Sequence, residues 1–220
     1  MAVAFFDLDH TLLNGDSDHA WGDFMAEHGL VDQAEFKRIN DQFYIDYQAG
    51  NLDILAYLEF ALSPLKQTPM TTLLALREQF IAERIQPMIV DLAQALVNQH
   101  RQAGRELVIV TATNRFVTAP IAEIFNIEHL IATDLEMQAG QYTGQIDGVA
   151  CFQTGKVTKV KQWLIEHHCD LKQSFFYSDS HNDIPLLELV DNPIAVDPDE
   201  KLSRHCQRHG WATLKLHVGN

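Results

Sequence analysis

The sequence predicts an α/β fold built on a parallel sheet. Two observations carry this: short, nearly unbroken apolar runs, and helix-period segments lying between them. A third observation, polar residues crowded just after those runs, says where a ligand would bind. Residues 2 to 6, AVAFF, predict a first strand buried on both faces. From Ser17 to about Ile85 the pattern is helical. Trp21, Phe24, Met25 and His28 share one face, and Phe36, Ile39, Phe43 and Tyr47 another, with Gly50 as a stop. Thr68-Pro69 predicts a further helix start, with Leu73, Leu76, Phe80 and Ile81 inward.

From Pro87 helix and strand alternate. PMIVDLAQALVNQHRQAG predicts a helix ending at Gly104, ELVIVTA (106 to 112) a second buried strand, and residues 115 to 125 a helix. A short strand at HLIAT precedes DLEMQAGQYTGQ, which alternates about Gly140 as a hairpin does. TGKVTKVKQWLIEHH predicts a helix, SFFYSD a third buried strand and DNPIAV a fourth. The predicted organisation is a core of residues 1–16 plus 86–220, with residues 17–85 as a helical insertion.

Composition narrows the function. The 220 residues carry a formal net charge of −14, a field that repels nucleic acid and anionic membrane. No apolar stretch approaches the roughly 18 residues of a bilayer span. MAVAFFDLD has no basic region before its apolar run, so a cytoplasmic location is expected. Cys151, Cys169 and Cys206 have no metal-like spacing and are expected as reduced thiols.

In a parallel sheet, ligands bind beyond the carboxyl ends of the strands. After the first strand stand Asp7, Asp9 and Thr11, with Asp16 further on. The second closes on Thr111, Thr113 and Asn114, and the third is followed by Asp179, Asn182 and Asp183. Lys156 stands at a helix start between them. Two carboxylates about 4 Å apart repel by roughly 4 kcal/mol at an effective dielectric near 20. Several such pairs would threaten a fold stable by only about 5–15 kcal/mol. The crowding therefore calls for a cation.

These segments resemble the four motifs of the haloacid dehalogenase (HAD) superfamily: DLDHT its DxDxT signature, Thr111 its hydroxyl motif, Lys156 its lysine and SDSHND its acidic motif. Within it, LLNGDSD and SDSHNDIPLL are most similar to subfamily IB, the phosphoserine-phosphatase-like group. The resemblance implies a Rossmann-like core with residues 17–85 as a C1 cap. It also implies a Mg²⁺-dependent phosphatase acting on a small phosphorylated metabolite. Asp7 would be the nucleophile forming an aspartyl-phosphate, and Asp9 the general acid and base. Asp7, the Asp9 backbone carbonyl and Asp179 would hold the metal, with Asp183 nearby. Thr111 and Lys156 would hold phosphoryl oxygens, helped by the amides around Thr11 and Leu12. Asp16 and Asn182 would face substrate.

Lys159 is the competitor to Lys156, and Trp21, Phe24, Phe43, Tyr44 and Tyr47 are expected in the cap core. Where phosphoserine phosphatases have a glutamate, this chain has Asp16. Their hydroxyl motif continues with glycines, here Ala112 and Thr113. None of Arg38, Arg77 or Arg84 stands in a motif that would hold a substrate carboxylate. Residues 17 to 85 hold eleven acidic against five basic residues. An amine without a carboxylate, as in histidinol phosphate, suits that balance better than phosphoserine. A phosphotransferase or mutase, or a silent metal- and phosphate-binding module, are the alternatives.

Overall fold

The computed structural model describes residues 2–217. Strand β1 (Val3–Phe6) is followed by helices α1 (Ser17–Glu27), α2 (Gln33–Ala49), α3 (Ile54–Gln67) and α4 (Met70–Phe80). Then come α5 (Asp91–Gln102), β2 (Glu106–Asn114), α6 (Arg115–Ile124) and β3 (His129–Thr133), and the hairpin β4 (Leu135–Gln138) and β5 (Gln141–Ile146). The chain closes with α7 (Thr154–Glu166), β6 (Phe175–Ser178), α8 (Ile184–Leu187), β7 (Asn192–Val196), α9 (Glu200–His209) and β8 (Ala212–Leu214).

Six strands form one parallel sheet in the order β3-β2-β1-β6-β7-β8. All four residues of β1 are buried, which is why the strand reads as an unbroken apolar run. Strand order reverses at β1, so the loops after β1, β2 and β6 meet at a topological switch point, where an α/β sheet has room for a ligand.

The helical segment is legible in its caps. Asp16, Asp32 and Asp53 each accept a backbone N–H in the first turn of α1, α2 and α3, and Gly50 ends α2 at φ 76°. Trp21, Phe24 and Phe80 pack together over the core side of the segment, as the periodicity predicts. Three details differ from the sequence reading. The expected helix from Pro87 begins only at Asp91, because Ile89 is extended and bridges Leu13. The second strand runs on to Asn114 rather than stopping at 112. Helix α9 and strand β8 follow the last strand foreseen. Among the described residues no helix is long and apolar enough to cross a membrane, and the three cysteines are free.

His100 of α5 is buried behind the sheet. Arg105 can only donate, at 3.2 Å to Nδ1, so Nε2–H donates to the Tyr177 phenol oxygen at 2.8 Å. Burial, and secondarily the Arg105 charge, depress the imidazole from its ordinary 6.5 to about 4. The unfolded chain therefore binds this proton first, and stability falls as pH drops through the window from about 6.5 to about 4. The loss is expected to be on the order of 2 kcal/mol. Urea unfolding of wild type and His100→Gln between pH 7.5 and 4.5 checks this: the variant's profile should be flatter, and superimposable slopes would exclude the effect.

Candidate active site

Asp7 is the first residue beyond β1, and its backbone N–H donates to the Tyr177 carbonyl oxygen at 2.9 Å, continuing the ladder to β6. The chain then turns tightly. The amides of Thr11, Leu12 and Leu13 all donate to Leu8 O, and His10, at φ 53°, donates to Gly15 O. The expectation that the Thr11 and Leu12 amides grip phosphate is corrected by this geometry, since the turn itself uses them. Thr11 is fully buried and does something else. Its hydroxyl donates to Asp179 Oδ1 at 3.1 Å and accepts from Asp179 N–H at 3.0 Å, clamping the β1 loop to the β6 loop.

Lys156 enters from the first turn of α7. A Cβ on Gly155 would lie 2.0 Å from Ala150 O, so only glycine lets the helix start close enough to aim the lysine inward. The ammonium donates to Asp7 Oδ1 at 2.8 Å and Asp183 Oδ2 at 2.7 Å, all three groups being buried. Ser178 donates to the same Asp183 oxygen at 2.7 Å. Lys159, the competing lysine, instead donates to Asp134 at 2.7 Å.

Asp9 has a different setting. Ser17 N–H donates to Oδ1 at 2.6 Å and the Thr113 hydroxyl to Oδ2 at 2.8 Å. Burial, and next the Asp16 charge, raise its carboxyl to about 6. Burial raises Asp7 to about 7 against the opposing pull of Lys156, and burial beside Asp7 and Asp183 raises Asp179 well above the carboxylate range. These carboxyls are therefore matched to proton transfer or metal binding near neutral pH.

The fit to a divalent ion can be judged from this donor set. One ammonium serves two buried carboxylates, and Asp179 has a protein hydrogen bond on only one carboxylate oxygen. Among the described residues no three acidic, imidazole or thiol side chains close around one point. Mg²⁺ does not need such a cage, because it keeps several waters and takes one or two carboxylates. Asp7 and Asp179, with the Asp9 backbone carbonyl, fit that requirement. The Asp9 side chain does not, since both its oxygens are engaged, and Asp183 is turned onto Lys156 and Ser178.

The site opens into a cavity of about 680 Å³ including its mouth. Asp7, Asp9, Asp16, Thr111 and Lys156 line it, whereas Asp179, Asn182 and Asp183 do not. Asn182 instead receives Gln153 at 3.0 Å and donates to Tyr47 O at 3.3 Å. His181 is likewise turned away, paired with Asp199 at 2.7 Å. The helical segment supplies the far wall: Asp18, His19, Phe43, Tyr44, Tyr47 and Tyr57. Phe43, Tyr44 and Tyr47, expected in the cap core, thus face the cavity, while Trp21 and Phe24 are buried as expected. Of the eleven acidic residues of that segment only Asp18 lines the cavity, and most of the rest are exposed. Ser178 and Tyr57 were not among the sequence-predicted site residues, and Thr113 was placed at the strand end without a role. For Thr113 a signal existed, its position two residues after Thr111 on the same strand.

A model of the haloacid dehalogenase-like hydrolases matches residues 4–188. A histidinol-phosphatase of Neisseria meningitidis serogroup C is 43% identical over 218 residues, covering 97% of this chain and 98% of the relative. Phosphoserine phosphatase SerB1 of Mycobacterium tuberculosis is 31% identical over 220 residues, covering 96% and 69%. Among solved structures, a protein of unknown function from Bordetella pertussis Tohama I superposes with a TM-score of 0.92 at 44% identity, covering 98% and 99%. A substrate-bound phosphoserine phosphatase shares the fold at a TM-score of 0.70 and 17% identity, covering 94% and 97%.

Proposed function

This chain belongs to the haloacid dehalogenase-like hydrolases and is a phosphatase of that family, and from that premise we propose that it hydrolyses histidinol phosphate with Mg²⁺, through an aspartyl-phosphate on Asp7. The observation that carries the chemistry is the pairing at the end of the central strand. Asp7 is held by Lys156 at 2.8 Å, while Asp9 is held separately by Ser17 and Thr113. Two carboxylates two residues apart thus have different environments and can take different roles.

Lys156 orients one Asp7 oxygen and leaves the other for attack on phosphorus. The P–O bond to the leaving alcohol breaks as the Asp7–phosphorus bond forms, and Asp9, raised to about 6, hands its proton to the departing oxygen. Asp9 then takes a proton from the water that hydrolyses the acyl phosphate. Thr111, buried in the last part of β2 and lining the cavity, is placed to donate to a phosphoryl oxygen. A Mg²⁺ ion held by Asp7, Asp179 and the Asp9 carbonyl would neutralise phosphoryl charge.

The choice of alcohol rests on what lines the cavity. Asp16 and Asp18 stand beyond the catalytic pair, and no arginine lines the cavity among the described residues. Arg77 donates to Phe116 O, Arg84 pairs with Glu27, and Arg38 is exposed. An amine is provided for and a carboxylate is not. This favours histidinol phosphate over phosphoserine and agrees with the name of the 43% identical relative.

Phosphate release from both esters, with Mg²⁺ and with EDTA, tests the proposal. Expected are release that needs the metal and a kcat/KM at least about 10-fold higher for histidinol phosphate, one further charged contact being worth about 1.4 kcal/mol. Equal use of phosphoserine would refute the substrate assignment. Transfer to a sugar hydroxyl without free phosphate would mark a phosphotransferase, and metal-dependent binding without turnover a silent module.

A further inference from the structure

Resting on the phosphatase reading above, the selection of the alcohol can be assigned to the cavity's far wall. Asp18 sits in the first turn of α1 and lines the cavity. One of its oxygens accepts the Tyr57 phenol at 2.7 Å, while the other has only the Asn114 amide at 3.5 Å, the limit of a hydrogen bond. No lysine, arginine or histidine pairs with it among the described residues. Burial, and next the Asp16 charge, hold its carboxyl up at about 7. A ligand that brings an N–H donor to it therefore satisfies an acceptor the protein leaves underused.

The surroundings give that ligand a shape. Tyr57 stands edge-on to Phe43, ring centroids 5.3 Å apart, and Tyr44 lies 5.2 Å from the His19 ring. All four line the cavity with Leu52 and Ile54. This wall is aromatic and apolar, with a carboxylate at its edge, and suits a flat ring carrying an N–H better than a flexible ammonium. An amino-alcohol phosphate needs one carboxylate for its amine, and Asp16 can meet that need. Asp18 is one more than the amine requires.

We propose that Asp18, oriented by Tyr57, is a specificity-determining residue that accepts a hydrogen bond from a ring nitrogen of the leaving alcohol. Asp16 remains for the amine. The enzyme then recognises amino alcohols by two nitrogens rather than one, and phosphate esters lacking the ring are poor substrates even when they carry the amine.

The test is steady-state kinetics of the Mg²⁺-loaded wild type, Asp18→Asn and Tyr57→Phe on histidinol phosphate, O-phosphoethanolamine and p-nitrophenyl phosphate. The readout is kcat/KM for histidinol phosphate relative to p-nitrophenyl phosphate, a ratio that a purely structural role would not move. Asp18→Asn should lower it about 30-fold, chiefly through KM, and Tyr57→Phe about 3-fold. Wild type should also prefer histidinol phosphate to O-phosphoethanolamine. A ratio unchanged in both variants, or a wild type indifferent to the ring, overturns the role of Asp18 and leaves the phosphatase standing. Release from none of the three esters overturns the phosphatase reading itself. Should Asp18→Asn not fold, the Tyr57→Phe ratio decides, together with calorimetric titration of histidinol, which should bind that variant about 3-fold more weakly than wild type.

Discussion

Asp7→Asn is expected to lower phosphate release by about 10⁴-fold or more, the amide being unable to attack phosphorus, a loss of about 5.5 kcal/mol of transition-state stabilisation. The same change is not expected to unfold the protein. Asp7 is buried with Asp183 around a single ammonium, with the Asp179 carboxyl close by, and Lys156 keeps Asp183 at 2.7 Å when Asp7 is neutral. Removing one of several like charges relieves repulsion, so the metal-free variant should melt no lower than wild type at pH 7.5. The sign follows from the raised carboxyl. A group held at about 7 in the folded chain against 3.8 in the unfolded one binds its proton preferentially when folded, so its stabilising effect is lost as pH rises from about 4 to about 7. Asparagine has no such window. Malachite-green phosphate assays beside thermal melts at pH 5 and 7.5 would separate the two effects. Residual turnover within 100-fold of wild type would remove Asp7 from the nucleophile's role.

Lys156→Met is expected to cost both activity and stability. The ammonium is the shared partner of Asp7 and Asp183, and truncating one member of a buried ion cluster typically costs about 3–5 kcal/mol because the remaining charges stay buried and unpaired. For a chain of this size that is a drop in melting temperature of roughly 10 °C. Without the lysine the Asp7 carboxyl loses the pull that opposes its rise, so it gains a proton in the folded state. The deficit should therefore shrink on acidification from pH 7.5 to 5. Lys156→Arg is not expected to rescue, because the guanidinium fork is larger than the ammonium it would replace between two buried carboxylates. A Lys156→Met protein with unchanged melting temperature and pH profile would exclude this role for the lysine.

The sequence made the core legible wherever a strand is buried on both faces, as in VAFF, or a helix has one apolar stripe, as in the α4 segment with Leu73 and Phe80 inside. Helix α9 was not legible because it buries only Leu202 and Cys206 in ten otherwise polar positions. Strand β8 was not, because a three-residue edge strand with two exposed positions has no period to detect. The cluster around Asp7 was readable from residue types at strand ends, since strand topology alone brings those ends together. The far wall was not readable. Phe43, Tyr44, Tyr47 and Tyr57 have the spacing of a helical core, and only the docking of the helical segment turns them toward Asp7. Asn182 shows the converse: its motif suggests substrate, and in the fold its amide donates to the carbonyl of Tyr47.

The central place of β1 sets a timing problem for the newborn chain. Val3 pairs with Glu106 and Ala4 with Phe175, so β1 waits for partners made much later. At synthesis rates of about 5–20 residues per second, the second neighbour appears roughly 10 s or more after the first strand. Until then an apolar segment with two open edges is exposed, a substrate for chaperones or for aggregation. The helical segment made in the interval can pack its own aromatic residues, and that local collapse can shelter β1. A circular permutant that moves β1 next to β6 should therefore fold faster and depend less on chaperones, with the same sheet at the end.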